Sequence, residues 1–207
     1  MKPIEAILLI GPTSAGKTPL GDHMMQRGIP GRRCHHFDFG RELRSIAGRR
    51  EPAPGFNPAE LRFICDVLEK GRLLEDDNFP LAERIFRRFL EERGWQEPDL
   101  IILNGLPRHA GQARDMERLV TVTHLLVLEC SAEDVCARIE RNTGGDRIHR
   151  TDDAADMIRK KLDLYHSRTA LLKDYYSAQG CSLMSICVDA ASTSESLSAQ
   201  FLSLLYS

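Results

Sequence analysis

An apolar run, Ala6-Ile7-Leu8-Leu9-Ile10, leads directly into Gly11-Pro12-Thr13-Ser14-Ala15-Gly16-Lys17-Thr18. That segment has the G-x-x-x-x-G-K-[S/T] spacing of a phosphate-binding loop, which works only between a buried strand and the start of a helix. The glycines let successive N–H groups converge on one anion, the helix aims its positive end at the same point, and Lys17 adds a mobile full charge. Thr18 has the hydroxyl that can ligate Mg²⁺. A Gly-rich turn that merely joins strand to helix would also meet the spacing. The strand before it and the helix after it favour phosphate binding, so a nucleoside triphosphate is the expected ligand.

The remaining apolar runs extend this strand–loop–helix start into a fold class. They recur at Cys34–Phe37, Leu100–Leu103, His124–Leu128 and Leu183–Val188, with amphipathic helical stretches between them. Such alternation predicts a parallel, doubly wound α/β sheet. Asn57-Pro58 with Glu60 reads as a helix start, Leu61, Ile64 and Leu68 follow at helical spacing, and Gly71 stops the segment. A second helix carries Phe79, Ala82, Phe86 and Phe89 and ends near Gly94. Two helices between the second and third strands exceed a simple crossover, which makes this insertion the candidate subdomain for a second substrate. One long helix is expected from about Thr151, with Ile158, Leu162, Tyr165, Leu172 and Tyr176 on one face. Ser192 with Glu195 reads as the cap of a final helix.

Composition narrows the partners. The 207-residue chain has 28 Lys plus Arg against 30 Asp plus Glu, a net charge of -2 that gives no general attraction to nucleic acid or to an anionic membrane. No stretch is apolar for the ~20 residues of a membrane helix, and Met1-Lys2-Pro3-Ile4-Glu5 lacks the form of a signal peptide. A cytoplasmic protein is expected. The six cysteines are scattered without a C-x-x-C pair, so no structural zinc is expected, and most are read as small hydrophobes packed in apolar runs. His35 and His36, adjacent on a strand, should point to opposite faces and not form a metal pair.

Three further clusters carry a resemblance. Asn104-Gly105-Leu106-Pro107-Arg108 follows the third strand, with Gln112 beyond it; this resembles the D-G-F-P-R segment and later Gln of the adenylate kinase and UMP/CMP kinase family. Phe39-Gly40-Arg41-Glu42-Leu43-Arg44 is similar to the family's T-G-D-M-L-R, and Lys70-Gly71-Arg72-Leu73-Leu74 to the stretch whose backbone meets the acceptor base. Arg150-Thr151-Asp152-Asp153 resembles the R-x-D-D at the edge of the lid, although alone it would read as an ordinary helix start.

The resemblance implies a P-loop NTPase fold, a three-layer α/β/α domain with a five-stranded parallel sheet. Its core would span about 1–38, 95–137 and 151–207, with a helical NMP-binding insertion at about 39–94 and a short, zinc-free lid at about 138–150. It further implies that ATP·Mg²⁺ and a nucleoside monophosphate are the partners of a monomer. ATP would lie on Gly11, Pro12, Thr13, Ser14, Ala15, Gly16, Lys17 and Thr18, with Arg138 across its base. The monophosphate would meet Phe39, Arg44, Arg72, Leu73, Leu74, Gly105, Arg108 and Gln112. Lys17, Arg108, Arg138, Arg150 and Lys161 would act on the transferring phosphoryl group, and Arg141, Arg147, Arg150, Asp152 and Asp153 would belong to the lid. Thr18 would touch Mg²⁺, and Asn104 would reach it through water.

Four residues depart from the family pattern. Asn104 replaces an aspartate, Lys161 an arginine and Pro19 a threonine, while Phe39 replaces a small or polar residue beside the acceptor base. Gln112, with one amide donor side and one acceptor side, favours AMP. The short lid favours UMP or CMP, and the first three departures would suit a nucleotide-binding sensor. A kinase of a small hydroxyl substrate would need a general base and would not call for Arg44, Arg108 and Gln112 together.

Overall fold

Parallel pairing sets the architecture. In the computed structural model, which describes residues 4–49, 54–145 and 155–206, the strands are β1 (Ile4–Ile10), β2 (Cys34–Asp38), β3 (Leu100–Asn104), β4 (Val120–Cys130) and β5 (Ser182–Val188). They form one sheet in the order β2-β3-β1-β4-β5, every pair parallel. β2 and β3 are buried along their whole length, as expected when helices cover both faces. This is the anticipated α/β class. Registers pair Asp38 with Asn104 and Leu9 with Asn104, so the carboxyl ends of β2, β3 and β1 stop side by side, where open α/β sheets bind ligands.

The helices form two layers. On one face α1 (Lys17–Arg27) and α9 (Ser194–Leu205) bring Leu20, Met24, Leu197 and Phe201 against Ile7, Leu9, Ile102 and Leu126. On the other, α2 (Phe39–Ala47), α3 (Pro58–Lys70), α4 (Phe79–Arg93), α5 (Ala110–Met116) and α8 (Leu172–Ser177) share a core with Leu8, Phe37, Leu103 and Leu125. α6 (Ala132–Arg141) follows β4, and α7 (Ala155–Leu164) precedes α8.

Local signals hold where they are short. Asn57 and Glu60 form a capping box at the start of α3, and Gly71 and Gly94 close α3 and α4 in the left-handed conformation at φ 58. His35 and His36 do face opposite ways, to Asp99 at 2.7 Å and to Asp22 at 2.8 Å.

Other expectations need correction. α4 packs Phe86 and Phe89 on Phe37, ring centroids 5.0 Å apart in each pair, so it belongs to the core layer on the sheet. The expected long helix is broken: Tyr165–Thr169 is a π-turn, with Ala170 N–H donating to Tyr165 C=O, and α8 starts only at Leu172. The widened turn buries Tyr165 and Thr169 together, a shift of face that periodicity alone does not signal. The final helix is capped by Thr193 with Ser196, one residue later than expected, while Ser192 bonds Asp189. Only Cys34 is buried; Cys65, Cys136 and Cys187 are exposed, because each falls on the outward side of its helix or strand. Among the described residues no helix is long and apolar enough to cross a membrane.

Candidate active site

A cleft opens over the carboxyl ends of β1, β2 and β3, and nearly every described residue singled out by sequence lines it. The loop between β1 and α1 forms its floor. Gly16 sits at φ 90, with Arg138 Nη2 3.2 Å from where a Cβ would be, and a Cβ at Gly11 would lie 2.6 Å from the Leu128 carbonyl. Both positions therefore require glycine. No side chain caps α1, so its positive end faces the cleft. Lys17 Nζ donates to the carbonyls of Gly11 at 2.8 Å and Pro12 at 2.5 Å, which holds the ammonium over the loop. Pro19 occupies the first turn of α1, where a helix needs no N–H from it.

Beside the loop lies a polar contact that sequence reading missed. Thr18 Oγ1 donates to Asp38 Oδ2 at 2.6 Å, and Asn104 Nδ2 donates to that same oxygen at 3.0 Å and to Thr18 Oγ1 at 3.1 Å. All three residues are buried. Burial pushes the Asp38 carboxyl up, but the Thr18 hydrogen bond and the charges of His36 and Arg41 outweigh it and hold it below the usual range. Thr18 and Asp38 offer only oxygen donors, the type Mg²⁺ prefers, so these residues fit a magnesium-bound nucleotide. The only hint in the sequence was position: Asp38 ends a strand at the crevice.

The opposite wall carries the cations. Arg108 reaches the cleft from the loop after β3, and its guanidinium has no hydrogen-bond or ion-pair partner among the described residues. Enclosure by protein pulls its pKa down to about 10. Arg44 is exposed on α2, its Nη1 3.3 Å from where a Cβ on Gly40 would be. Arg72 lines the same wall, 3.8 Å from Asp66. Phe39 is 5% exposed and packs 6.0 Å from Phe37, so most of its ring belongs to the core and only its rim meets the cleft.

Gln112 is fully buried and held at both ends. Its Oε1 accepts the Arg108 N–H at 2.8 Å, and its Nε2 donates to the Leu74 carbonyl at 2.9 Å. Flipping the amide would set donor against donor, so its orientation is fixed. His109, which sequence reading also missed, donates to the same carbonyl at 2.9 Å and caps α5. Leu73 and Leu74 are buried under these bonds, and Gly105 lines the cleft at φ 82.

At the far end, Arg138 lies 3% exposed and donates to the carbonyls of Ser14 at 2.8 Å, Asp189 at 2.7 Å and Ser192 at 2.8 Å. Those bonds fix the guanidinium behind the phosphate loop. The same guanidinium lines the cleft beside Ser14 and Gly16. Lys161, Tyr165 and Thr169 line the cleft from the π-turn side, and Thr169 Oγ1 donates to the Arg108 carbonyl at 2.9 Å. Arg168 forms two hydrogen bonds to Glu75, at 2.7 and 3.0 Å, tying this side to the segment after α3. Arg141 is exposed at the end of α6 and does not line the cleft. Arg147, Arg150, Asp152 and Asp153 lie outside the described residues.

Comparison with known proteins decides the family. An adenylate kinase of Rhodopirellula baltica is 30% identical over 185 residues, covering 84% of this chain and 82% of that one. The chain belongs to the adenylate kinase and UMP/CMP kinase family. An adenylate kinase of Thermus thermophilus is 29% identical over 182 residues, 85% of each chain, and UMP-CMP kinase 1 of rice is 26% identical over 183 residues, 86% of this chain and 66% of that one. The family frame also agrees in shape with a sugar kinase from a Janibacter species, TM-score 0.54 over 99% of this chain and 95% of that one; at 15% identity this likeness concerns the fold alone. No protein-family model matches the chain.

Proposed function

We propose that this ATP-dependent nucleoside monophosphate kinase takes AMP as its preferred acceptor, with Mg²⁺ bound to the donor ATP. Arg108 carries the reading. A guanidinium half-buried in the cleft wall and without an anionic partner among the described residues is a poor structural element and a good receptor for a phosphate dianion. A neutral hydroxyl substrate would leave that charge uncompensated and would also need a base, whereas a monophosphate oxygen is already ionised near neutral pH.

Chemistry then follows from positions. Phosphoryl transfer spreads negative charge over the equatorial oxygens, and cations held in fixed geometry stabilise it. Lys17 and the N-terminus of α1 would hold the donor phosphates, and Arg108 with Arg44 the acceptor phosphate. Arg138 would support the donor base. Arg150, in the region expected to form the lid, would complete the charge around the migrating group. Magnesium supplies positive charge on the β and γ oxygens when ATP is bound. The helices at 39–78 form the acceptor insertion in this reading.

The adenine assignment is supported by the locked amide of Gln112. Its two backbone partners leave one N–H and one lone pair in a set order, matching the acceptor–donor edge of adenine. Supplying AMP, CMP, UMP, GMP and dTMP in turn with ATP, and following ADP formation, tests both levels. AMP should give the highest kcat/KM. A higher value for CMP or UMP overturns the base assignment, and ATP binding without turnover on any monophosphate overturns the kinase reading in favour of a sensor.

A further inference from the structure

Asp38 is a buried carboxylate with no ion pair among the described residues. The nearest candidate for one, Arg41, turns its guanidinium away and forms two hydrogen bonds to Asp22 on α1, at 2.9 and 2.6 Å. Asp38 receives only neutral donors. Its Oδ1 accepts the Arg41 N–H at 3.0 Å and so caps α2, and its Oδ2 accepts from Thr18 and Asn104. A buried negative charge therefore sits against the phosphate loop, and among the described residues His36 and Arg41 act on it from nearby without an ion pair.

Hydrogen-bond polarity sharpens what that charge is for. Thr18 gives its hydroxyl proton to Asp38 and accepts the Asn104 amide on one lone pair, which leaves one lone pair for a cation. Asn104 acts twice as a donor through Nδ2, toward Asp38 and toward Thr18. Its amide is thus spent on orienting its two neighbours, and a second carboxylate at this position would face Asp38 across a hydrogen-bond distance. Asp38 and Asn104 are register partners at the ends of adjacent strands. The family pattern has its aspartate on β3 at position 104, where this chain has an amide, and here the carboxylate stands on the neighbouring strand.

We infer that the two positions have exchanged roles: Asp38 supplies the carboxylate that holds the water shell of ATP-bound Mg²⁺, and Asn104 positions that carboxylate and the Thr18 hydroxyl. The inference rests on the kinase reading above and adds a residue to its metal side. It also turns Asn104 from a weakened ligand into the partner of a relocated one.

Calorimetric titration with the non-hydrolysable analogue adenylyl imidodiphosphate, with and without Mg²⁺, measures the gain in affinity that the metal confers. Asp38→Asn keeps a capping oxygen for α2, removes the charge and sets its own amide N–H against Asn104 Nδ2, a clash that Asn104→Asp relieves. It should leave metal-free binding close to native, lower the melting temperature through the opposed buried donors and cut the Mg²⁺-dependent gain by tenfold or more, the scale on which such outer contacts act, while the double variant regains both. In Asp38→Asn/Asn104→Asp the charge returns to β3, and the gain should recover to within about threefold of native on the same scale. A native-like gain in Asp38→Asn, a double variant as weak as the single one, or a native protein whose analogue binding ignores Mg²⁺ overturns the exchange. Failure of the kinase reading is distinguishable, because it appears as absent turnover of monophosphates in the native protein whatever the metal titration gives.

Discussion

Two arginines stand at opposite ends of one cleft and have opposite surroundings. Arg138 is saturated, giving hydrogen bonds to three backbone carbonyls, while the guanidinium of Arg108 meets none among the described residues. The first ties the phosphate loop to the turn after β5 and to the start of α9. The walls around them differ in chemistry: Lys17, Thr18, Asp38 and Asn104 bond one another or the loop beside α1, and Arg44 and Arg72 line the opposite wall.

The contrast breaks first at the donor loop. Lys17→Met should leave a folded protein with turnover down ~10²-fold or more, because a fixed charge on the developing anion is worth a few kcal/mol. Near-native turnover with normal melting would remove the ammonium from the mechanism. Arg108→Met comes next. It should lower kcat/KM for AMP by ~10²-fold while analogue binding stays near native. Stability should move the other way. The folded pKa of about 10 lies below that of the unfolded chain, which therefore binds more protons between the two values, so stability rises with pH there and the charge opposes folding at neutral pH. Removing it should raise Tm by about 2–4 °C, the effect of ~1 kcal/mol in a chain of this length. A lower Tm would mean that Arg108 is structural after all.

Arg138→Ala should behave in reverse. Losing three hydrogen bonds from a buried charged group should cost about 2–4 kcal/mol in urea unfolding and weaken ATP-analogue binding, with AMP affinity changed little. Equal loss for both ligands would erase the distinction between the two ends. The smallest effect belongs to Gln112→Ala, which should reduce the preference for AMP over CMP and UMP by about tenfold, the loss of one polar readout group. An unchanged ranking in the monophosphate screen would show that another group reads the base.

Legibility followed the range of the interactions. The phosphate loop, the capping box at Asn57 and Glu60, the left-handed stops at Gly71 and Gly94 and the five apolar runs depend on neighbours within a few residues, so pattern and propensity were enough to find them. The π-turn at Tyr165–Thr169 escaped because one extra residue in a turn leaves composition unchanged and only rotates the face that follows. The cysteines escaped for a related reason: an apolar run does not say which side of an element meets solvent.

What the sequence determined by itself was chemistry: a strand, a glycine-rich loop with Lys17 and Thr18, and an arginine after the third strand, in an order that allows a parallel sheet. Tertiary structure alone decided what each side chain faces. Residues 18, 38 and 104 meet because strand register stops three chain segments together. Arg108 and Arg138 read alike as sequence, since both are arginines in motif positions. They differ because carbonyls at 14, 189 and 192 converge on one and, among the described residues, none on the other, and such convergence arises from the packing of distant segments, which no local pattern encodes.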